Sequence, residues 1–218
     1  MENYKTSIVI CHHKGNLIER CLKSLKKINA EKIIVTSDKS YNLNWEKDIQ
    51  RHYVNFNEPA LKRNLGVKVA LGEYLCFMDD DVEVEKNCIE EMSLFLDHFP
   101  EIGMIYALLY KMDNHNIVDT SGSYLTWTGF LYETYIPYKQ YYREILSGKS
   151  ALCMIRKELF NKIGGFDEDF VIYGEETDLS WRVWLAGYKV MVLPCAIGYH
   201  AFETSLKPRS YYNQHYIH

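Results

Sequence analysis

An α/β fold on a mostly parallel central sheet is what this sequence predicts, and three observations carry the prediction. Strand and helix patterns alternate through the N-terminal half, and β-α-β-α order implies parallel strands joined by right-handed crossovers. An apolar run, Tyr74–Met78, ends in three consecutive aspartates, Asp79-Asp80-Asp81. Residues just past a strand's C-terminal end sit in the crevice where open α/β sheets bind ligands. Finally, 218 residues at 47% hydrophobic content can bury the core of one large domain or two small ones.

The elements follow in order. Ser7–Cys11 is a continuous apolar run, as expected of a strand buried on both faces. Asn16 can cap the next helix, with Glu19 completing a capping box, and Leu17, Cys21, Leu22, Leu25 and Ile28 form its buried stripe. Ile33–Thr36 and His52–Phe56 read as strands. A second helix starts near Glu58–Pro59, where proline is tolerated in the first turn, and ends by Gly72. Beyond the aspartates a helix runs from about Glu85 to Phe99, and Pro100 stops it. From Gly103 to Tyr142 the Tyr-, Trp- and Thr-rich sequence reads as irregular strands and a long loop. Helix and strand signals return with Arg156–Ile163, with Glu175–Ala186 ending at Gly187, and with Lys189–Leu193 before Pro194. No internal repeat or low-complexity linker interrupts the chain, which reads as one domain with a variable middle.

A formal net charge of −4 gives no support for nucleic-acid binding, which rests on a basic excess. Cys11, Cys21, Cys76, Cys88, Cys153 and Cys195 form no Cys-x-x-Cys pair, so buried free thiols in a reducing compartment are expected. The start, MENYKTSIVIC, carries no signal-peptide pattern, and no run approaches the length of a membrane span. The expected location is the cytoplasm, with attachment to the inner face of a membrane left open.

The chemistry concentrates in a few places. Asp79 and Asp81 are separated by one residue, so both carboxylates can face one point, which suits a hard divalent cation carrying phosphate oxygens. The plainer alternative is a solvated turn capping the next helix. Asp38, just past the second strand, can accept hydrogen bonds from a base or ribose, or is an ordinary loop aspartate. Lys62-Arg63-Asn64-x-Gly66 either aims cationic and amide donors at phosphates or the base, or forms a solvated basic face. Gly66 costs roughly 1 kcal/mol against alanine inside a helix, which a close approach by a strand or ligand would explain. In GGFDEDFVIYGEETDLSWR, Gly164-Gly165 makes a turn that Phe166 anchors, and Glu175, Glu176 and Asp178 fall in a first helical turn. The helix macrodipole accounts for one or two of those acids. The sharper reading makes one of them a general base toward an acceptor hydroxyl. His200, placed after the last core strand, is a candidate metal or diphosphate ligand.

Taken together, SIVIC-x10-CLKSL, IIVTSD, RNLG-x5-LGEYLCFMDDDV, IRKELFNKIGGFDEDFVIYGEETDLSWRVWLAGY and the late His200 make the chain resemble the glycosyltransferase family 2 enzymes. The resemblance covers nearly the whole chain, and its last long block is the most specific. It implies a GT-A fold, a three-layer α/β/α sandwich, with 1–218 as a single domain: 1–100 the nucleotide-binding half and 101–218 the acceptor-side half. It implies an inverting, metal-assisted enzyme that moves a sugar from a nucleotide-diphosphate donor (a UDP-, dTDP- or GDP-sugar) to a glycan or lipid-linked glycan hydroxyl. Position by position, it implies Asp81 and His200 as ligands of Mg²⁺ or Mn²⁺, with Asp79 nearer the ribose and Asp80 in the same element. Asp38 (or Ser37, if the register slips by one) takes the base-binding position, and Arg63 neighbours the nucleotide. Glu176 is the implied catalytic base, with Glu175 as the alternative.

Two departures stand out. His12-His13-Lys14 replaces the Thr/Asn-Tyr-Asn segment typical after the first strand, and the family's base is most often aspartate, one methylene shorter than Glu176. Two other functions compete. A sugar-1-phosphate nucleotidyltransferase shares the sheet layout, but ICHHKGN lacks the Gly-rich basic loop such enzymes need. A non-catalytic nucleotide-sugar or glycan-binding subunit is the other, because many relatives continue into C-terminal helices where this chain stops at SYYNQHYIH.

Overall fold

The computed structural model describes residues 4–40, 48–137 and 142–201. The SYYNQHYIH terminus and part of the tyrosine-rich stretch 124–142 lie outside the described residues. In chain order the elements are β1 (Thr6–His12), α1 (Leu17–Leu25), β2 (Glu31–Thr36), β3 (Ile49–Tyr53), α2 (Pro59–Val69), β4 (Tyr74–Asp79), β5 (Val82–Val84), α3 (Cys88–His98) and β6 (Ile102–Lys111). They continue with β7 (Asn114–Thr120), β8 (Ser123–Leu125), β9 (Leu131–Glu133), β10 (Arg143–Glu144), β11 (Leu152–Arg156), α4 (Lys157–Lys162), α5 (Glu175–Leu185) and β12 (Lys189–His200).

One large mixed sheet runs β10-β12-β6-β11-β4-β1-β2-β3, and parallel ladders predominate along that path. β1 lies parallel to both β2 and β4, as βαβ crossovers through α1 and α2 require. The exceptions are β11, antiparallel between β4 and β6, and β10, antiparallel to β12 at the edge. Because side chains alternate along a strand, each central strand feeds both faces. Ile8, Ile10, Cys76 and Met78 pack under α1 and α3, with Leu22, Met92 and Leu96. Val9, Leu75 and Phe77 pack on the other face, against α2, α4 and α5 through Ala60, Phe160, Leu179 and Val183. Helices on both faces of a sheet make the three layers.

Several local expectations are corrected. Asn16 precedes α1 but makes no side-chain capping bond: its backbone is helical (φ −98°, ψ −5°), whereas capping residues ordinarily take extended angles. The buried face of α1 uses Ile18 rather than Leu17. β3 lies earlier than His52–Phe56 and pairs with β2 from Lys32↔Ile49 onward. The stretch from Gly103 is not irregular at its start: Ile102–Leu109 is a continuous apolar strand buried in the middle of the sheet, unlike the Tyr-, Trp- and Thr-rich sequence that follows it. The sequence after the aspartates first forms β5, so the next helix begins only at Cys88. β12 does not stop at Pro194 but continues to His200 after a register shift between Leu193 and Ile197, where a missing N–H is tolerated. His200 therefore ends a core strand rather than following it. Of the six cysteines, all free, Cys195 is exposed and Cys11 half-buried.

Candidate active site

β4 carries the aspartates to the C-terminal edge of the parallel strands, and β5 turns the chain back at once. β5 pairs antiparallel with β12, setting His200 opposite Val82, and the Ala201 N–H donates to the Asp81 carbonyl at 3.0 Å. This small ladder brings a histidine from the far end of the chain to the aspartates. One ligand atom from each of Asp79, Asp81 and His200 lies within 4.8 Å of the others. Two carboxylates and an imidazole nitrogen fit a divalent cation of the Mg²⁺ or Mn²⁺ kind. His200 Nε2 is 3.4 Å from Asp81 Oδ1, and its Nδ1 is 2.9 Å from Asp119 Oδ2. Burial alone would lower the His200 pKa, but hydrogen bonds to Asp119 and Asp81 outweigh it and raise the value to about 9. Burial pushes the Asp79 carboxyl above its usual range, opposed by the Arg63 guanidinium.

Asp80 points elsewhere. Its Oδ2 lies 2.6 Å from Nδ1 of the fully buried His12 and accepts from the His13 N–H at 3.3 Å. The two histidines that depart from the family pattern thus hold the middle aspartate. Asp38 accepts from the Ser40 N–H at 2.8 Å and the Ser40 hydroxyl at 2.6 Å, closing a short turn beyond β2. Ser37 sits in a richer polar setting: its hydroxyl donates to Asn57 Oδ1 at 2.6 Å, accepts from Lys62 at 3.1 Å and lies 3.1 Å from His13 Nδ1.

The Lys62-Arg63-Asn64 motif is neither a solvated face nor a row of outward donors. Lys62 and Arg63 are each only 2% exposed. The Lys62 ammonium donates to the His12 carbonyl at 2.8 Å, and burial lowers its pKa. Arg63 Nη2 donates to Asp79 Oδ1 at 3.0 Å and Nη1 to Glu175 Oε1 at 2.8 Å, with the guanidinium over the Phe166 ring. Asn64 pins the glycine turn from both sides, donating to the Phe166 carbonyl and accepting from the Phe166 N–H. Gly165 (φ +74°) gives that turn its left-handed step. Gly66 is explained by contact: a Cβ there would stand 2.3 Å from Val9 Cγ1, so α2 rests directly on β1.

The three acids opening α5 separate by partner. Asp178 pairs with Arg182 one turn on, and Arg182 also donates to the Ile163 carbonyl at 2.7 Å. Glu175 is buried against Arg63. Among the described residues no basic side chain forms an ion pair with Glu176. Burial raises its pKa well above the carboxylate range, and the neighbouring Glu175 charge raises it further. The Tyr106 hydroxyl holds this turn, 2.8 Å from Ser180 Oγ and donating to the Glu176 carbonyl at 3.3 Å. Contacts therefore run unbroken from His200 through the aspartates and Arg63 to Glu175 and its neighbour Glu176. Asp119, Lys149 and Tyr106 carry no sequence signal that marks them; Asp119 and Tyr106 are placed by strand pairing, and Lys149 by the loop before β11.

Among the described residues no helix is long and apolar enough to cross a membrane. Among curated proteins, the O-antigen biosynthesis protein RfbC of Myxococcus xanthus is 30% identical over 62% of this chain and 11% of its own length. A probable N-acetylgalactosaminyltransferase 8 of Caenorhabditis elegans is 26% identical over 92% of this chain and 56% of its own. The chain thus spans between about a tenth and just over half the length of these relatives. Among solved structures, GalNAc-T7 with UDP, GalNAc and Mn²⁺ superposes at a TM-score of 0.75 and 18% identity, over 90% of this chain and 44% of that one. Staphylococcus aureus TarS (residues 1–349) superposes at 0.62 and 17% identity, over 89% of this chain and 60% of that one. Both likenesses establish the GT-A fold. The family described as glycosyltransferase like family 2 matches residues 7–216, and the chain belongs to it.

Proposed function

We propose that this chain is an inverting glycosyltransferase that moves a sugar from a nucleoside-diphosphate donor to the hydroxyl of a glycan or lipid-linked glycan. The observation that carries the reading is the juxtaposition of two chemistries: a three-donor cation cradle and, next in sequence to the Glu175 that Arg63 ties to Asp79, the Glu176 carboxyl with its raised pKa. Asp79, Asp81 and His200 would hold Mg²⁺ or Mn²⁺, and the cation's contribution is to offset charge on the departing diphosphate. Glu176 takes the proton of the acceptor hydroxyl as that oxygen attacks the anomeric carbon. The bond from that carbon to the diphosphate oxygen breaks, and the nucleoside diphosphate leaves with the electron pair. Ser37 and Asp38 stand at the end of β2 toward the base, whereas Arg63 acts on the donor through Asp79. Residues 1–100 serve the donor and 101–218 the acceptor, save that His200 reaches back to the donor's cation site. The family membership and the Mn²⁺, UDP and GalNAc of the GalNAc-T7 structure support this reading.

The test is a thermal-shift and turnover screen of UDP-, GDP-, dTDP- and CMP-sugars with and without Mn²⁺, since ligands of the native state raise its melting point. We expect one nucleotide class to raise the melting temperature only with the metal and to be consumed slowly. No shift with any donor would overturn the proposal, and binding without turnover would reassign the chain as a non-catalytic subunit. Opposite anomeric configuration in donor and product, read by NMR, checks inversion.

A further inference from the structure

We propose that Asp119 is a positioning residue for the cation site, holding the His200 ring so that Nε2 presents its lone pair beside Asp81. The inference deepens the cation-site reading above and rests on it. Its first support is backbone geometry. β7 pairs with β6 through Leu109↔Thr120 and then Tyr110↔Val118, so Asp119 is the extra residue of a bulge. A bulge re-aims one side chain out of the ladder's alternation, and bulges recur beside active sites. Here it turns a carboxylate inward, where Asp119 is 7% exposed.

The second support is the bonding. Asp119 Oδ2 lies 2.9 Å from His200 Nδ1 and accepts from Lys149 Nζ at 3.0 Å, while His200 Nε2 stands 3.4 Å from Asp81 Oδ1. An imidazole that donates Nδ1–H to a carboxylate has its tautomer fixed and its ring orientation set, leaving Nε2 as the ligating atom. Lys149 and His200 share one oxygen of the Asp119 carboxylate, so the contact that stabilises the buried charge also orients the imidazole. Loss of such an outer partner costs about 10–100-fold in metal affinity.

The experiment measures Mn²⁺ affinity of the whole chain by titration calorimetry, and directly coordinated nitrogen by pulsed electron paramagnetic resonance through its ¹⁴N coupling. Wild type, Asp119→Asn, Asp119→Ala and Lys149→Met are compared. We expect Asp119→Ala to weaken Mn²⁺ about 10–100-fold and to lose or diminish the ¹⁴N signature. Asp119→Asn, whose amide oxygen still accepts from Nδ1–H, should retain that signature with a smaller loss of affinity, and Lys149→Met should stay near wild type. If wild type binds Mn²⁺ and both Asp119 variants bind it equally with the nitrogen coupling intact, the positioning role is wrong while the cation site stands. If Asp119→Ala fails to fold, unaltered affinity and coupling in Asp119→Asn alongside a larger loss in Lys149→Met still overturn the role. If wild type binds no Mn²⁺, both readings fall together.

Discussion

Arg63 and Glu175, 112 positions apart in the chain, meet at 2.8 Å inside the protein, and the other arm of the same guanidinium holds Asp79. One planar fork thereby ties the strand bearing the cation cradle to the helix bearing the proposed base. Removing one partner of a buried ion pair leaves an uncompensated charge and costs about 3–5 kcal/mol. Arg63→Met should therefore lower stability by that order in urea unfolding. Arg63→Lys should recover little, because an ammonium is a point charge that cannot replace a two-armed contact.

The proton-accepting role proposed for Glu176 has a defined pH signature. Its pKa is raised in the fold by burial and by Glu175, so the protonated form is favoured when folded. The associated stability is fully present below the ordinary carboxylate pKa and is lost as pH rises through the raised value. Activity needs the ionised form and should rise over that same interval. Glu176→Gln should reduce transfer about 10²–10⁴-fold, keep nucleotide binding and remove the pH-dependent loss of stability. Parallel pH–rate and urea-unfolding series check both halves.

Glu175→Gln tests who sets that proton affinity. The amide oxygen can still accept from Arg63, while the like charge beside Glu176 disappears. The acidic limb of the pH–rate profile should move to lower pH, because one source of the raised pKa is gone. Abolished transfer in Glu175→Gln, with transfer retained in Glu176→Gln, would move the base to Glu175.

Asp81→Ala removes one of the three proposed cation donors. Metal-stimulated donor consumption should vanish, and the added stabilisation by Mn²⁺ with nucleotide should fall toward zero in a melting experiment. Retained metal stimulation would exclude Asp81 as a ligand.

Gly66→Ala opposes propensity to packing. Alanine is favoured by roughly 1 kcal/mol inside a helix. Here its methyl would meet Val9 Cγ1 at 2.3 Å, and overpacking costs about 1–3 kcal/mol. We expect net destabilisation in urea unfolding, relieved in the Gly66→Ala/Val9→Ala double variant.

These positions also show what the sequence could and could not reveal. Local signals worked where the cause is local: Pro59 at the start of α2, the apolar run of β4 and the acids opening α5 all sit where pattern placed them. The close approach inferred from Gly66 is a helix-on-strand contact. Failures arose where pairing decides. β5 has three residues and no periodicity to detect, yet it delivers His200. Asp119 is one acid in an unremarkable strand until a bulge turns it. Lys62 and Arg63 stayed open between ligand-directed donors and a solvated face, because composition cannot report which charges find buried partners.

The pairing of β5 with β12 also dictates an order of events. On a growing polypeptide the two acids emerge early, and the imidazole follows only when almost everything described has been made. On the proposed reading a divalent ion would therefore complete its site late, as a clasp, and chelation would leave the layered interior assembled while slackening that last edge.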